Sequence, residues 1–370
     1  MRVVVAGGGT GGHIYPALAI AKALGGEILY IGGQKGIEKE ILPATGLEYR
    51  LIDVEGFSRK LTLKNVVTAY KAFRATNQMK KILKDYQPDV VIATGGYVSG
   101  PVGQAAASLK KPLFLQEQNS YPGVTIRLLA KKAEKIFLGS KGAERYLPKE
   151  KCLFTGNPVR EEIIKANREN AQKELALFDK TLLLITGGSQ GAKAINNAIR
   201  PLYKAFAQRE DLVVVHHCGK NDFPNVSVVK KTNYPKIASV LGDEAISIEK
   251  NIFITPYIQN MALILAASDL VVCRAGAIFL SEAAVLGIPL ILVPYPYAAE
   301  NHQTHNARIW QETGAGRLVL ESNMEEIEDV LWQLLDDKEK RQAMGKKAKT
   351  LGNPQATLNI VQEIKASLLS

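Results

Sequence analysis

Short apolar runs rich in β-branched residues recur along this chain, and stretches long enough for one helix separate them. In the first half the runs cover residues 2–6, 27–31, 90–93, 112–115 and 136–138. In the second half they cover residues 181–186, 212–217, 252–255, 270–273 and 290–293. Strands that are apolar on both faces and alternate with helices are typical of parallel sheets covered by helices on both sides. The pattern therefore predicts an α/β protein built on doubly wound sheets.

Chain length and charge divide the sequence near its middle. The 370 residues are enough for two domains with separate cores, and a turn-rich GNPV segment occupies residues 156–159. Residues 1–160 contain 24 lysines and arginines against 12 acidic residues, whereas residues 161–370 contain 23 against 24. We expect a domain boundary near residue 160 and a helical tail after Gly345 that could pack on either domain.

The net charge of +11 arises in the first half, where residues 56–84 contain eight basic residues and no acidic one. A basic surface indicates an anionic partner such as a nucleic acid, an anionic membrane or a phosphorylated substrate. The simpler interpretation is a basic face that only aids solubility.

The three cysteines, Cys152, Cys218 and Cys273, are too far apart for a disulfide framework or a metal knuckle. Since no apolar run is long enough to span a membrane, we expect a cytoplasmic protein.

Each half has a glycine-rich loop after its first predicted strand. Residues 7–12 (GGGTGG) satisfy the dinucleotide-binding spacing, but the sequence IGGQ replaces the acidic residue expected at the end of the second strand. Residues 186–192 (TGGSQGA) lack the lysine of an NTP-hydrolysing P-loop. Both loops still suit a phosphate or pyrophosphate, because glycines let backbone amides approach an anion and the following helix contributes its positive end. With a third glycine turn at residues 95–101, they should face a cleft at the carboxyl ends of the strands.

His13 follows the first loop directly and is a candidate general base. A helix N-terminus disfavours imidazolium and leaves a neutral ring that can accept a proton, while a capping or packing role is the alternative. His216 and His217 lie inside a predicted strand and are expected to be core or edge residues. Glu282 should lie in the first turns of a helix, where a carboxylate can accept hydrogen bonds from a ribose diol or only pair with the helix dipole.

Seven segments resemble, in order, those of the MurG family of transferases (glycosyltransferase family 28). They are GGGTGGHIYPALA, GGYVSGP, QEQNSYPG, TGNPVR, TGGSQGA, CRAGAIFLSE and ENHQTHNA. The resemblance covers essentially the whole chain and implies the glycosyltransferase type B fold, in which two doubly wound Rossmann-like domains face a central cleft. The implied domains are residues 1–160 plus about 346–370, which would hold the acceptor and face the membrane, and residues 161–345, which would bind UDP-GlcNAc.

The resemblance implies an inverting transferase of peptidoglycan synthesis. It would move GlcNAc from UDP-GlcNAc to the C4 hydroxyl of MurNAc in undecaprenyl-pyrophosphoryl-MurNAc-pentapeptide (lipid I), forming the β-1,4 bond of lipid II. It would work as a peripheral protein on the cytoplasmic face of the membrane. No cofactor and no protein-bound metal are expected, and a divalent cation could assist without being obligatory.

The resemblance also assigns substrate contacts. They are Thr10, Gly11, Gly12, Asn119, Arg160, Ser189, Gln190, Ile258, Ala277, Ile278, Phe279, Leu280, Ser281, Glu282 and Gln303. Ser189 and Gln190 would face the donor diphosphate, with Arg160 nearby. Ile258 would meet the uracil, Glu282 the ribose and Gln303 the GlcNAc hydroxyls. The glycine turns of the first domain would also hold the acceptor's pyrophosphate.

One position departs from the family pattern. Gln116 stands where some relatives have a histidine, so a base role for that histidine cannot operate here. His13 is therefore the stronger candidate for the catalytic base, and Glu117 is the second.

The basic stretch contains an apolar stripe at helical spacing. The stripe consists of Leu63, Val66, Val67, Tyr70 and Phe73, with Lys60, Lys64, Lys71 and Arg74 around it. Such a helix can lie on an anionic leaflet, at about 1 kcal/mol for each basic residue near the surface. An ordinary packed helix is the alternative.

Three other functions remain open from the sequence. A related transferase acting on diacylglycerol would share the fold and loops, and a UDP-GlcNAc epimerase would share the donor. A non-catalytic nucleic-acid-binding protein could use the basic half. We expect no nucleic-acid partner, because no recognised nucleic-acid motif occurs and basic and aromatic residues interleave in only one stretch.

Overall fold

The computed structural model describes residues 1–55, 63–188, 190–223 and 232–369. The chain divides into two compact units, Met1–Arg160 with Asn353–Ser370, and Glu161–Gly352. Residues 346–352 lie in the second unit, because the helix Lys338–Lys349 runs into them and packs against that unit's helix Ala277–Leu286. Lys60 and Ser189 lie outside the described residues, as do the side chains of Leu63, Lys64 and Val66.

A seven-stranded parallel sheet forms the centre of the first unit. Its strands are β1 (Arg2–Ala6), β2 (Glu27–Gly33), β3 (Glu48–Ile52), β4 (Val90–Ala93), β5 (Leu113–Glu117), β6 (Lys135–Leu138) and β7 (Cys152–Phe154). The strand order is β3-β2-β1-β4-β5-β6-β7, which is the doubly wound arrangement of dinucleotide-binding domains. The central strands are apolar on both faces and buried on both faces, for example Val90–Ala93.

Helices cover both faces of this sheet. They are α1 (Gly11–Leu24), α2 (Glu38–Ile41), α3 (Leu63–Tyr86), α4 (Gly96–Ser108), α5 (Val124–Leu129) and the C-terminal helix (Ala356–Leu369), with 3-10 turns at Leu42–Thr45, Ala130–Lys132, Lys141–Tyr146 and Lys149–Lys151. Apolar residues of α3, α4 and α5 pack in one core cluster. Residues of α1 and the C-terminal helix pack in the cluster on the other face.

The second unit repeats this architecture with one reversed strand. Its strands are β8 (Thr181–Thr186), β9 (Leu212–His217), β10 (Ile246–Glu249), β11 (Ile252–Thr255), β12 (Leu270–Cys273), β13 (Leu290–Leu292) and β14 (Gly316–Leu318). The strand order is β10-β11-β9-β8-β12-β13-β14. Strand β10 pairs antiparallel with β11, and the other pairs are parallel.

Ten α-helices are described around this second sheet. They are α6 (Glu161–Lys165), α7 (Arg168–Glu174), α8 (Lys193–Ile199), α9 (Tyr203–Ala207), α10 (Pro235–Leu241), α11 (Met261–Ala267), α12 (Ala277–Leu286), α13 (His302–Glu312), α14 (Ile327–Asp336) and α15 (Lys338–Lys349), with 3-10 turns at Arg200–Leu202, Lys220–Asp222, Ala299–Asn301 and Glu321–Glu326. Several begin at a side-chain cap, which satisfies an amide of the first turn. The caps of α7, α11 and α15 are Asn167, Asn260 and Asp337.

The predicted fold of two Rossmann-like α/β domains is confirmed. All ten predicted strands are present, and six of them have the predicted bounds, for example β8 and β9. Four strands that the pattern does not predict are also present: β3, β7, β10 and β14. Among the described residues, none of the helices is long and apolar enough to cross a membrane.

Candidate active site

The carboxyl ends of β1, β4 and β5 bring three loops of the first unit together around His13. The His13 ring lies against Gly95, where an added Cβ would be 2.8 Å from Nδ1. Thr94, at the end of β4, donates its hydroxyl to the His13 carbonyl at 2.7 Å. The convergence follows from the fold, because parallel strands end at the same edge of a sheet.

The first glycine loop is held by a buried carboxylate that the sequence analysis missed. Glu38 is completely buried, and its Oε1 accepts the backbone amides of Gly9 and Gly33, each at 2.9 Å. A carboxylate therefore does reach the end of β2, but it comes from α2 and binds loop amides of the protein itself. The glycine at position 36 is the feature of the sequence that could have indicated this contact. A Cβ at Gly36 would collide with the Glu38 carboxylate.

His13 is partly exposed and belongs to the first turn of α1. Its Nδ1 lies 3.0 Å from the carbonyl oxygen of Thr94 and 3.0 Å from Oε1 of Gln118. The first turn of α1 contains no acidic residue, so no acidic side chain of this turn offsets the helix dipole next to the ring. This position is compatible with the predicted base role.

Glu117, the second base candidate, is buried, and both of its oxygens accept hydrogen bonds from the following loop. Oε1 accepts the backbone amide of Asn119 at 2.9 Å and its side-chain amide at 3.2 Å, and Oε2 accepts the amide of Gly123 at 2.9 Å. Burial raises the pKa of Glu117, while these hydrogen bonds act in the opposite direction. The carboxylate thus orients half-buried Asn119, the predicted substrate contact beside it.

A buried amide network lies behind His13. Gln118 donates its Nε2 to the carbonyl of Thr94 at 2.7 Å and also to Gln116. Gln116 donates to Oδ1 of Asn157 at 3.0 Å, and Asn157 donates back to the carbonyl of Gln118 at 3.1 Å. Gln116, Gln118 and Asn157 are each at most 5% exposed. This network was not predicted from the sequence, although all three residues lie in the segments QEQNSYPG and TGNPVR of the family resemblance.

The other predicted contacts of the first unit lie near the start of α1. Thr10 is exposed, and Gly11 and Gly12 are partly exposed. Arg160 stacks on the ring of Tyr15, with its guanidinium carbon 5.3 Å from the ring centroid. A cation and a helix N-terminus therefore belong to the same surface region, which suits an anionic ligand.

The second glycine loop has a different support. Gly191 has a φ of +74°, and an added Cβ would lie 2.0 Å from the carbonyl oxygen of Cys218. The Thr186 hydroxyl accepts the Gly188 amide at 3.2 Å and lies 2.9 Å from Nδ1 of His217. Gln190 is an exposed residue of this loop. The loop is thus anchored on β9, and a predicted diphosphate contact is open to solvent.

His217 also links this loop to the turn after β11. Its ring packs edge to face on Tyr257, with centroids 6.4 Å apart. Ile258, the predicted uracil contact, is only 2% exposed, so its contact with a base stays a prediction. Tyr257 is half exposed next to it and offers an aromatic face that the sequence analysis did not select.

The segment from Ala277 to Glu282 opens α12 at the carboxyl end of β12. Ala277, Phe279 and Ser281 are partly exposed, whereas Ile278, Leu280 and Glu282 are buried. Ser281 donates its hydroxyl to the carbonyl of Ala277 at 2.9 Å. The described first turn has no acidic residue, so its amides are suited to an anion. Glu282 is 3% exposed, and its ribose role stays a prediction.

Gln303 lies in the first turn of α13, after the loop that follows β13. Its Oε1 accepts the backbone amide of Tyr295 at 2.9 Å, so the predicted contact with a hydroxyl would fall to its amide nitrogen. Just before it, Glu300 and Asn301 have φ values of 51° and 54°. Two consecutive non-glycine residues in the left-handed backbone conformation are strained, and such strain is often found at functional sites.

Metal ligands are not clustered in the part of the chain that the structure describes. No group of three or more His, Cys, Asp or Glu side chains there could hold a metal ion. Burial raises the pKa of the Cys218 thiol to about 11 and that of Cys273 further, which disfavours the thiolates that metals and electrophiles require. His216 and His217, expected as core or edge residues, are buried in the core.

Family models match both halves of the chain. The glycosyltransferase family 28 N-terminal domain matches residues 3–138, and the family 28 C-terminal domain matches residues 182–360. A relative from Desulforamulus reducens is 41% identical over 379 residues, covering 100% of this chain and 99% of its own length. One from Moorella thermoacetica is 42% identical over 375 residues, covering 98% of both. Both are named UDP-N-acetylglucosamine--N-acetylmuramyl-(pentapeptide) pyrophosphoryl-undecaprenol N-acetylglucosamine transferase.

Solved structures agree with this relationship. The crystal structure of Acinetobacter baumannii MurG is 28% identical, with a TM-score of 0.72 and 99% coverage of both chains. A UDP-GlcNAc 2-epimerase from Neisseria meningitidis, bound to UDP-GlcNAc, has a TM-score of 0.65 at 16% identity, covering 99% of this chain and 100% of its own, and shows the shared fold only. The family models cover well over half of the sequence and the relatives match it end to end. This chain belongs to glycosyltransferase family 28.

Proposed function

We propose that this protein transfers GlcNAc from UDP-GlcNAc to the C4 hydroxyl of MurNAc in lipid I, producing lipid II. The observation that carries the proposal is the end-to-end identity of about 40% to transferases named for this reaction. The site is consistent with it, because each unit has a glycine loop and helix N-termini suited to phosphates. The related glycolipid transferase and the epimerase are the alternatives that the experiment must separate.

The reaction inverts the anomeric carbon, so the acceptor hydroxyl attacks in line and loses a proton to a base. We assign the base role to His13, which is partly exposed, and a positioning role to Glu117, whose two oxygens already hold the Asn119 loop. A positioned base contributes roughly 10²- to 10⁴-fold in rate. The departing UDP needs its charge stabilised, which backbone amides and helix N-termini can do.

In this proposal the second unit binds the donor. Gln190 and the amides that open α12 face the diphosphate, Ile258 meets the uracil, and Gln303 binds a GlcNAc hydroxyl. Ser189 and Glu282 complete the set in this unit, and the family resemblance adds Arg160 of the first unit. No cofactor is part of the proposed mechanism, and a divalent cation would act only on the diphosphate.

The basic helix α3 is the proposed contact with the membrane that carries the acceptor. Val67, Tyr70 and Phe73 lie on α3 at helical spacing and are 54–65% exposed, so these three side chains are not packed in the core. Lys71 contributes less to the basic face than expected, because it is ion-paired with Asp53 and Glu55. An exposed apolar stripe among basic residues favours adsorption to anionic lipid.

Vesicle sedimentation tests this membrane contact. The double variant Val67→Asp, Phe73→Asp should lose binding to phosphatidylglycerol vesicles, while Leu358→Asp should not. Leu358 is the matched control because it is 52% exposed and lies on the C-terminal helix, which covers the opposite face of the sheet. Equal loss in both variants, or unchanged binding in the double variant, would contradict the assignment.

A transfer assay tests the activity. Purified protein is incubated with labelled UDP-GlcNAc and either a short-chain lipid I analogue or diacylglycerol, and a third sample without acceptor is analysed for epimerised sugar nucleotide. We expect label only in the lipid I product, and a loss in kcat of at least about 100-fold for His13→Ala. His305→Ala, which changes an exposed histidine of α13, is the control for removing an imidazole. Label in diacylglycerol or an epimerised product would support the corresponding alternative.

A further inference from the structure

We propose that Gln118 is a positioning residue that keeps the proton of neutral His13 on Nδ1, so that the ring's lone pair is on Nε2. Gln116 and Asn157 lock Gln118 in the orientation that this requires. The inference rests on the proposed function, in which His13 accepts the proton of the acceptor hydroxyl. It adds residues that act on the base through hydrogen bonds and do not touch the substrate.

The surroundings of Nδ1 determine the tautomer. Nδ1 lies 3.0 Å from the carbonyl oxygen of Thr94 and 3.0 Å from Oε1 of Gln118. Both oxygens can only accept hydrogen bonds, so Nδ1 must carry a hydrogen to bind either of them. In the neutral ring the other nitrogen then holds the lone pair. Nε2 is therefore the atom that takes a proton.

Main-chain carbonyls determine which end of the Gln118 amide faces His13. The Gln118 nitrogen lies 2.7 Å from the carbonyl oxygen of Thr94 and 3.2 Å from that of Gln116. A backbone carbonyl has no hydrogen to donate, so the amide group near these two oxygens must be the NH₂. The Gln118 oxygen consequently points at the imidazole and accepts its Nδ1 hydrogen.

Gln116 and Asn157 continue the hydrogen-bond chain from Gln118 away from the His13 ring, and they fix the orientation of its amide. Gln116 accepts from the Gln118 amide with its Oε1 and donates its Nε2 to Oδ1 of Asn157 at 3.0 Å. Asn157 in turn donates to the backbone carbonyl of Gln118 at 3.1 Å. Flipping any one amide would put two acceptors or two donors face to face. Because the three side chains are buried, such a mismatch would not be relieved by water.

Charged groups nearby already have other partners. Glu38 binds the amides of Gly9 and Gly33, Glu117 binds the loop after β5, and Arg160 stacks on Tyr15. Two hydrogen bonds of Nδ1 run to neutral oxygens, the Thr94 carbonyl and the Gln118 amide. These neutral partners differ from the carboxylate of the aspartate–histidine pair in many hydrolases.

The test combines the variant Gln118→Met with nitrogen NMR of ¹⁵N-histidine-labelled protein, in which the His13 signal is assigned by its loss in His13→Gln. In the unchanged protein at high pH, we expect neutral His13 to carry its hydrogen on Nδ1. In Gln118→Met the population with the hydrogen on Nε2 should rise. Gln104→Met, at an exposed position of α4, is the matched control and should leave the tautomer unchanged. A hydrogen on Nε2 in the unchanged protein would overturn the proposal.

Kinetics provide the second readout. Gln118→Met should lower kcat on the order of 10- to 100-fold, as loss of an orienting hydrogen bond does elsewhere, with both KM values within about twofold. In a His13→Ala background the same substitution should have no further effect on kcat. An equal loss in that background would show a general structural defect and overturn the proposal. If the unchanged protein transfers no GlcNAc, the proposed function fails, and the NMR result still decides the tautomer.

Discussion

Lowering the pH from 7 to 5 should destabilise the second unit, because two buried histidines of β9 must stay neutral when it is folded. Burial lowers the pKa of His216 to about 3 and the pKa of His217 to about 4. Nε2 of His216 lies 2.9 Å from Oδ1 of Asn196, and Nδ1 of His217 lies 2.9 Å from the Thr186 hydroxyl. These contacts hold neutral rings in a site that excludes water.

The size of the effect follows from proton linkage. In the unfolded chain both histidines have a pKa of about 6.5, so below that pH the unfolded state binds protons that the folded state does not. Stability is complete above pH 6.5 and falls as the pH drops toward the folded pKa values. At 1.36 kcal/mol for each pH unit and histidine, the free energy of unfolding decreases by about 2 kcal/mol per histidine at pH 5, or about 4 kcal/mol together. That is a large share of the roughly 5–15 kcal/mol that stabilises a typical domain.

Tryptophan fluorescence isolates this unit. The two tryptophans of the chain, Trp310 and Trp332, both belong to the second unit, and Trp332 packs on Phe206. Urea unfolding followed by fluorescence at pH 7, 6 and 5 gives the free energy of unfolding at each pH. His217→Gln should remove about half of the pH dependence.

Two other groups with shifted pKa values, Asp211 and Glu117, do not imitate this result. Hydrogen bonds from Arg209 lower the pKa of Asp211, so this carboxylate loses stabilising charge only at pH values below its unfolded pKa of about 4. Burial raises the pKa of Glu117, which favours folding as the pH falls, but Glu117 belongs to the first unit. An unfolding free energy that is flat between pH 7 and 5, or equally steep in His217→Gln, would refute the reasoning.

Three further substitutions test the packing that holds the loops. Glu38→Ala removes a buried acceptor of two amides and should cost about 3–5 kcal/mol, with Glu38→Gln costing less, as measured by hydrogen exchange in the first unit. Gly96→Ala places a Cβ 2.2 Å from the carbonyl oxygen of the opposing glycine loop at a φ of +76° and should cost about 2–4 kcal/mol in the same measurement. Asn251→Ala removes hydrogen bonds to three backbone carbonyls and should cost about 2–3 kcal/mol in tryptophan-detected urea unfolding. Changes below 0.5 kcal/mol would contradict these expectations.

The central strands were predictable because their burial on both faces is visible directly in their sequence. A strand buried on both faces, such as β8 with its TLLLIT sequence, needs apolar residues at every position. The four missed strands all lie toward the sheet edges. Strand β3 is half exposed and reads EYRLI, so its extended conformation depends on pairing with β2, which the local sequence does not reveal.

The candidate site was predictable to the level of its loops. Glycine-rich segments after core strands must reach the carboxyl edge of a parallel sheet, and the structure places Thr10, Gln190 and Ala277 there. The partners within each loop were not predictable, because they join residues far apart in sequence. The acidic residue missing at the end of β2 is one example: Glu38 supplies that carboxylate from the next helix, and only the folded chain shows where it points.

Gln116 shows why a departure from a family pattern has to be interpreted in three dimensions. In the sequence alone, Gln116 only removes one candidate for the base. His13 is then a second candidate with no visible connection to Gln116. In the structure it is completely buried and two hydrogen bonds from the His13 ring, through Gln118. An amide has both a donor and an acceptor, so it can join Gln118 to Asn157 without carrying a charge. A histidine at the same position would bring a titratable group into that network. The substitution and the choice of base are therefore coupled, and Gln116→His should change the pH dependence of kcat although it adds no group that touches the substrate.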